Sequence, residues 1–279
     1  MESYLTRLEQ LANVHDDYRF RGRPANNRYR KMRSNFLQVL MAVLNESIGH
    51  TPSCEYHSRL VGNLDPTDTI ISLNYDWLID HALKTNGANK WNPTVGYGVS
   101  VYKRGSRGAG TGYWACQDMN GRPRYPGSSI WLLKLHGSMN WFPVPPDRQP
   151  PRLQLRRRWW HQRGGLKAEI VPPEWNKPTR SGVYVPIWRR ARRSLQEAKA
   201  LIVIGYSFPE TDLPLHALFT VEQNPSVLKL LVTVNPDQRA RERIRSVVRR
   251  RLGVQTRVLS FEDFRDFSNF LVRRGQETR

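Results

Sequence analysis

The chain has 279 residues, 39% of them hydrophobic and 10% aromatic, which fits one large α/β domain or two small ones and excludes a disordered chain. Its 44 Lys and Arg against 24 Asp and Glu give a formal charge of +20, pointing toward a polyanion such as nucleic acid. There is no run of eighteen apolar residues and no basic start followed by an apolar core, and two cysteines, Cys54 and Cys116, supply neither a disulfide framework nor a four-thiolate zinc site. The expectation is a cytoplasmic protein with no membrane association and no metal. Two features temper the charge signal. Only nine of the basic residues are Lys, an Arg bias that a GC-rich genome also produces, and the positive charge is spread over Arg152 to Arg163, Arg189 to Arg193 and Arg239 to Arg251.

Taken in order, Glu2 to Val14 carries apolar residues at helical spacing, His15 to Arg30 is a polar connection, and a second helix is expected from Lys31, with Gly49 as its stop. Residues 1–50 thus form a helical start. A link containing Asp65-Pro66 leads to Thr69-Ile70-Ile71-Ser72-Leu73, an apolar run suited to a strand buried on both faces. Asn74, Tyr75 and Asp76 form the turn after it, and Trp77 to Leu83 forms a helix with Asp76 as N-cap. Residues 85–129, rich in Gly, Asn and Tyr, read as a turn-rich insertion with short strands at Val99–Tyr102 and Tyr113–Cys116. Gly108-Ala109-Gly110 within it lacks the preceding strand and following helix of a phosphate loop.

A strand returns at Ile130 to Leu135 and ends in His136-Gly137-Ser138, with Asn140-Trp141-Phe142 as an edge piece. Residues 145–182 form a second insertion, dense in Pro, Arg and Trp, with a strand at Ala168–Val171. After a helix over Ile187 to Ala200 the alternation is regular. Strands are expected at Leu201–Ile204, Leu228–Val234 and Thr256–Ser260, and helices at Leu213–Glu222, Arg239–Arg251 and Phe261–Val272. Repeated strand and helix with short turns predicts a single Rossmann-like, doubly wound α/β domain over residues 1–279.

Four turns fall at the carboxyl ends of predicted strands: Asn74-Tyr75-Asp76, His136-Gly137-Ser138, Gly205-Tyr206-Ser207 and Asn235-Pro236-Asp237. In a parallel sheet these ends share one edge, where ligands bind. Each turn has a plainer reading that residue type leaves open. Asn74 and Asp76 also suit a helix cap, His136 a hydrogen-bonded core histidine, Gly205 a close backbone approach, and Asn235-Pro236-Asp237 an ordinary helix start.

Together the segments SLNYD (Ser72 to Asp76), KLHGSMNW (Lys134 to Trp141), VIGYSFPETD (Val203 to Asp212) and VNPD (Val234 to Asp237) resemble the sirtuin-like domains of bacterial anti-phage defence proteins, many of which hydrolyse NAD. Order and spacing match over roughly residues 69 to 272, about two thirds of the chain. The resemblance implies that Asn74 orients the nicotinamide ribose or a water, with Asp76 the acid beside it, and that His136 is the catalytic histidine. It implies that Gly205 and Ser207 contact the ribose and phosphate side of the dinucleotide and Asn235 the adenosine end. The implied reaction takes NAD to nicotinamide and ADP-ribose without a metal. Protein deacylation, the other sirtuin chemistry, goes with a four-cysteine zinc module that two cysteines cannot supply.

The family's opening strand and its Gly-Ala-Gly-x-Ser turn, which hold the pyrophosphate, have no counterpart before Thr69. The expectation is either a start upstream of Met1 or a degenerate homologue whose sheet has an open central edge. The alternative function is then a non-catalytic module that keeps the fold and binds nucleic acid or a partner protein through its Arg-rich surface.

Overall fold

The computed structural model describes residues 10, 19–20, 23–24, 26–48, 53–87, 90–93, 96–101, 129–143, 152–155, 170–171, 182–210, 212–220 and 227–277. Apart from helical Gln10, the helix expected over Glu2–Val14 lies outside the described residues, as do the strand expected at Tyr113–Cys116 and the Gly108–Gly110 run.

The chain enters through a small antiparallel pair, β1 (Arg19–Phe20) and β2 (Arg23–Pro24), where a polar connection was expected. Helix α1 (Asn26–Ile48) follows and begins five residues before Lys31. The link before the first core strand contains a helix that the sequence reading lacks, α2 (Glu55–Gly62). Of its eight residues only Val61 is fully buried, so its apolar periodicity is too short to register. Strand β3 (Thr69–Ser72) and helix α3 (Leu78–Asn86) then form as expected, with Ile79, Ala82 and Leu83 buried on one stripe of the helix.

Strand β5 (Trp131–Lys134) pairs in parallel with β3, Thr69 opposite Trp131 and Ser72 opposite Lys134. Leu132 and Leu133 are both fully buried, which is why this segment shows no polar alternation. Helix α4 (Tyr184–Glu197) packs on β5 and β3 through Ile187, Ala191 and Leu195, and tolerates Pro186 because it sits in the first turn. Beyond α4 the chain builds a three-stranded parallel sheet, β8 (Ala200–Ile204), β9 (Leu228–Val234) and β10 (Leu252–Phe261), with β9 in the middle. The intervening helices are α5 (Leu213–Thr220), α6 (Gln238–Val247) and the terminal α7 (Phe264–Glu277). The helix expected over 239–251 is shorter than expected, and Arg249–Arg251 is a separate 3-10 turn.

Within the insertions, Ser100–Val101 forms a strand inside the expected Val99–Tyr102, whereas of the strand expected at Ala168–Val171 the described residues hold an isolated bridge from Ile170 to Gly137. Strands β4 (Ser100–Val101), β7 (Arg152–Leu155) and β6 (Trp141–Pro143) form a second, three-stranded sheet in that order, parallel between β4 and β7 and antiparallel between β7 and β6. It buries Leu153, Leu155 and Trp141 against the main core. Tyr97 stands edge-on between Trp91 and Trp141, with ring centroids 5.5 and 5.2 Å away.

The architecture is α/β with parallel sheets. One large apolar cluster joins α3, α4, β5 and the three aromatics, and smaller clusters pack α6 on β8 and β9 and α7 on β9. Leu201, Tyr206 and Phe219 touch both the first and second clusters, and Leu60 of α2 touches the first and third, so the parallel pair and the parallel triplet share one interior. Among the described residues β3 pairs only with β5 and β8 only with β9. Their side chains register those open edges: all four residues of β3 are half-buried, and Ile202 at the middle of β8 is 38% exposed.

Candidate functional site

Strand register decides which turns meet. Ser72 lies opposite Lys134, so the turns after β3 and β5 leave the sheet side by side, with the His136 ring centroid 6.3 Å from that of Tyr75. Ile204 lies opposite Val234, so the turns carrying Gly205 and Asn235 leave the sheet side by side in the same way. The four turns therefore assemble as two pairs.

The first pair is tied directly. The Tyr75 carbonyl accepts from the Met139 amide at 2.9 Å and from the Ser138 hydroxyl at 3.2 Å. The Tyr75 hydroxyl donates to the Val171 carbonyl at 2.6 Å, and the Val171 amide donates to the His136 carbonyl at 2.8 Å, so the segment at Ile170–Val171 straps both turns. His136 is largely buried, with Nδ1 3.2 Å from the Leu73 carbonyl oxygen. A carbonyl only accepts, so in this contact Nδ1 is the donor. Asn74 is exposed to solvent at the head of the turn. Asp76 is half-buried and accepts from the Leu78 amide at 2.9 Å, although the helix cap residue itself is Trp77. The capping role expected of Asp76 is thus filled by its side chain from one position further out.

Beneath this turn lies a buried ionic network that sequence reasoning missed. Lys134 and Asp80 are fully buried and form an ion pair at 2.9 Å. The same ammonium donates to the Asp76 carbonyl, and the Tyr97 hydroxyl donates to Asp80. Burial and the neighbouring carboxylate push the Tyr97 phenol well above its ordinary range, so it stays a proton donor. Lys134 was legible as part of KLHGS, but Asp80 lies 54 positions before it and Tyr97 17 positions after Asp80, so the network carries no local signature.

His57 of α2 is a second residue outside the sequence expectations. Burial lowers its pKa, and the charge of Asp76 opposes that shift, which places His57 within electrostatic range of the turn. Its Nδ1 is buried without a hydrogen-bond partner among the described residues, and its ring stands edge-on to Phe264 with centroids 5.2 Å apart.

In the second pair the Gly205 amide donates to the Val234 carbonyl at 2.8 Å, and the Asn235 amide donates to the Phe261 carbonyl at 3.0 Å. Gly205 has φ of 70°, and a Cβ added there would meet nothing within 4 Å. Close backbone approach is therefore not its reason; left-handed backbone is. Arg243 donates through Nε to the Ser207 carbonyl at 2.9 Å and reaches Asp237 at 3.6 Å, joining the two turns. Asn235 Oδ1 accepts from the Asp237 amide at 2.9 Å, and Asp237 caps α6 by accepting from the Arg239 amide at 2.9 Å. Both side chains do the structural work of a helix start. Phe208 has φ of 50°, uncommon for a bulky residue, and its buried ring packs at 4.6 Å on Tyr206 and 5.0 Å on Phe219. The Tyr206 hydroxyl donates to Asp212 at 2.9 Å and closes this turn.

Among the described residues no group of three or more His, Cys, Asp and Glu is placed to hold a metal, and no helix is long and apolar enough to cross a membrane. The first pair of turns brings together a histidine, an exposed amide and a carboxylate, and the second carries a glycine with open space at its Cα. No protein-family model matches the chain, and no curated protein matches it.

Proposed function

We propose that the chain is a sirtuin-like domain of the bacterial defence type, with a Rossmann-like sheet, and that it hydrolyses NAD to nicotinamide and ADP-ribose. The observation that supports this reading is the parallel pairing of β3 and β5, whose following turns carry Asn74 and His136. Breaking the bond from ribose to nicotinamide develops positive charge at the sugar carbon, as in glycoside hydrolysis, and the nicotinamide departs neutral. The enzyme's task is then to orient the sugar and a water and to take one proton. His136, whose Nδ1 is held by the Leu73 carbonyl, takes the proton, and Asn74 orients the water or ribose. Asp76 adds negative charge where the cation develops. Gly205, with open space beside its Cα, lets a ribose or phosphate approach the backbone, with Ser207 next to it and Asn235 toward the adenosine end.

The open edges of β3 and β8 favour a second reading. Among the described residues these edges are unpaired, which suits a non-catalytic module that keeps the fold and binds nucleic acid or a partner protein.

One assay separates the two readings. Purified protein incubated with NAD is expected to release nicotinamide, and Asn74→Ala or His136→Ala is expected to lower the rate by about 100-fold or more. Absence of turnover together with absence of NAD binding by calorimetry would sink the enzymatic reading.

A further inference from the structure

Two of the three Arg-rich stretches meet in the fold, at the amino edge of the parallel triplet, opposite the strand ends that carry the turns. The Lys229 amide at the start of β9 donates to the Lys199 carbonyl before β8 at 2.7 Å, so these two lysines are neighbours. Leu252, the first residue of β10, lies opposite Leu228, which brings Arg249 and Arg250 of the 3-10 turn to the same edge. Arg251 fixes that arrangement: it is 3% exposed and its guanidinium donates to the Ala198 carbonyl at 2.7 Å, pinning the turn to the end of α4. The last turns of α4 add Arg192 and Arg193. Arg192, Arg193, Lys199, Lys229, Arg249 and Arg250 are all exposed.

Among the described residues only part of this charge is offset. Glu197 pairs with Arg193 at 2.9 Å. The carboxyl ends of α4 and α6 at this edge contribute about half a negative charge each. Arg192 and Arg193 are engaged by other groups, so Lys199, Lys229, Arg249 and Arg250 against the two helix ends leave about three positive charges on a platform of three strands, about 10 Å across. That width spans roughly three phosphates of a nucleic-acid strand, and four of the six side chains are guanidiniums, which bind phosphate oxygens in pairs. The Asp68 carboxylate accepts from the Asp65 amide at 2.8 Å just before Thr69, whose hydroxyl lies 3.1 Å from that of Ser194 on α4, so it adds negative charge on the α4 side of the platform.

We propose that the amino edge of β8, β9 and β10 binds the phosphate backbone of nucleic acid. The surface is separate from the carboxyl-end site, and its occupancy does not depend on NAD chemistry.

The test is fluorescence anisotropy of the full chain with labelled 20-nucleotide duplex DNA, single-stranded DNA and RNA, from 50 to 200 mM salt. Binding is expected to weaken steeply with salt, with a log-log slope of about −0.9 per phosphate contact on duplex. Arg249→Glu/Arg250→Glu is expected to weaken binding about tenfold or more and to flatten the slope by about two units. The milder Arg249→Gln/Arg250→Gln should shift both in the same direction, which guards against loss of fold. Arg28→Glu/Lys31→Glu, the same charge change on exposed residues of α1, should leave binding within a factor of two. Equal losses from the two charge-reversal pairs, affinity insensitive to salt, or retention on anionic lipid vesicles without nucleic-acid binding would each overturn the proposal.

Discussion

Lys134 shows what one residue contributes when it is buried with its charge. Fully enclosed, it touches the Asp80 carboxylate and the Asp76 carbonyl, and so couples the floor of the core to the turn that carries Asn74. Taking both charges out of water costs much of what their attraction returns, so the intact pair adds little net stability. Removing one partner is different, because the other charge stays buried alone. Lys134→Met is therefore expected to lower the unfolding free energy by about 3–5 kcal/mol, measured by urea denaturation. The triple variant Lys134→Met/Asp80→Leu/Tyr97→Phe, which removes every polar member at once, should recover most of that loss. A single variant within 1 kcal/mol of the wild type would show that the network does not bear on stability.

At the scale of elements, the turns after β3, β5, β8 and β9 are set by backbone demands as much as by side chains. Gly205 is required by its φ of 70° and not by space. Gly205→Ala should thus cost about 1–2 kcal/mol in thermal or chemical denaturation, with Gly205→Asn milder because Asn tolerates the left-handed region. Equal costs for the two would point to a steric cause instead. The strands themselves were legible, because TIIS, WLLK, ALIVI and LKLLVTV are apolar runs of strand length between turn residues. Helix α2 was hidden by its shortness, and with it His57. Strand β7 did carry a signal, since Arg152-Leu153-Gln154-Leu155 alternates with both leucines buried, but flanking Pro and Arg made it read as loop. The candidate site was legible as four turns. Their assembly into pairs was not, because register and the Lys134 network depend on contacts between residues far apart in sequence.

For the whole molecule, charge sets the response to pH. The chain carries +20 before any histidine titrates, and two histidines resist titration inside the fold. Burial lowers the pKa of His57 below its ordinary 6.5, with Asp76 pulling the other way; burial and Lys84 lower that of His81. In the unfolded chain both imidazoles take up a proton near 6.5. Between that value and the lower folded value the unfolded state binds more protons, so stability rises with pH there. On acidification the loss begins as pH drops below about 6.5 and is complete once pH is under the folded values. Thermal midpoints should therefore fall from pH 7.5 to 5.5, and the fall should be shallower in His57→Gln, which cannot take the proton. Asp76→Asn removes the charge that supports protonated His57, so it should push the His57 titration lower still, read by NMR of the imidazole. A flat midpoint in the wild type, or an equal slope in His57→Gln, would show that the acid response has another source.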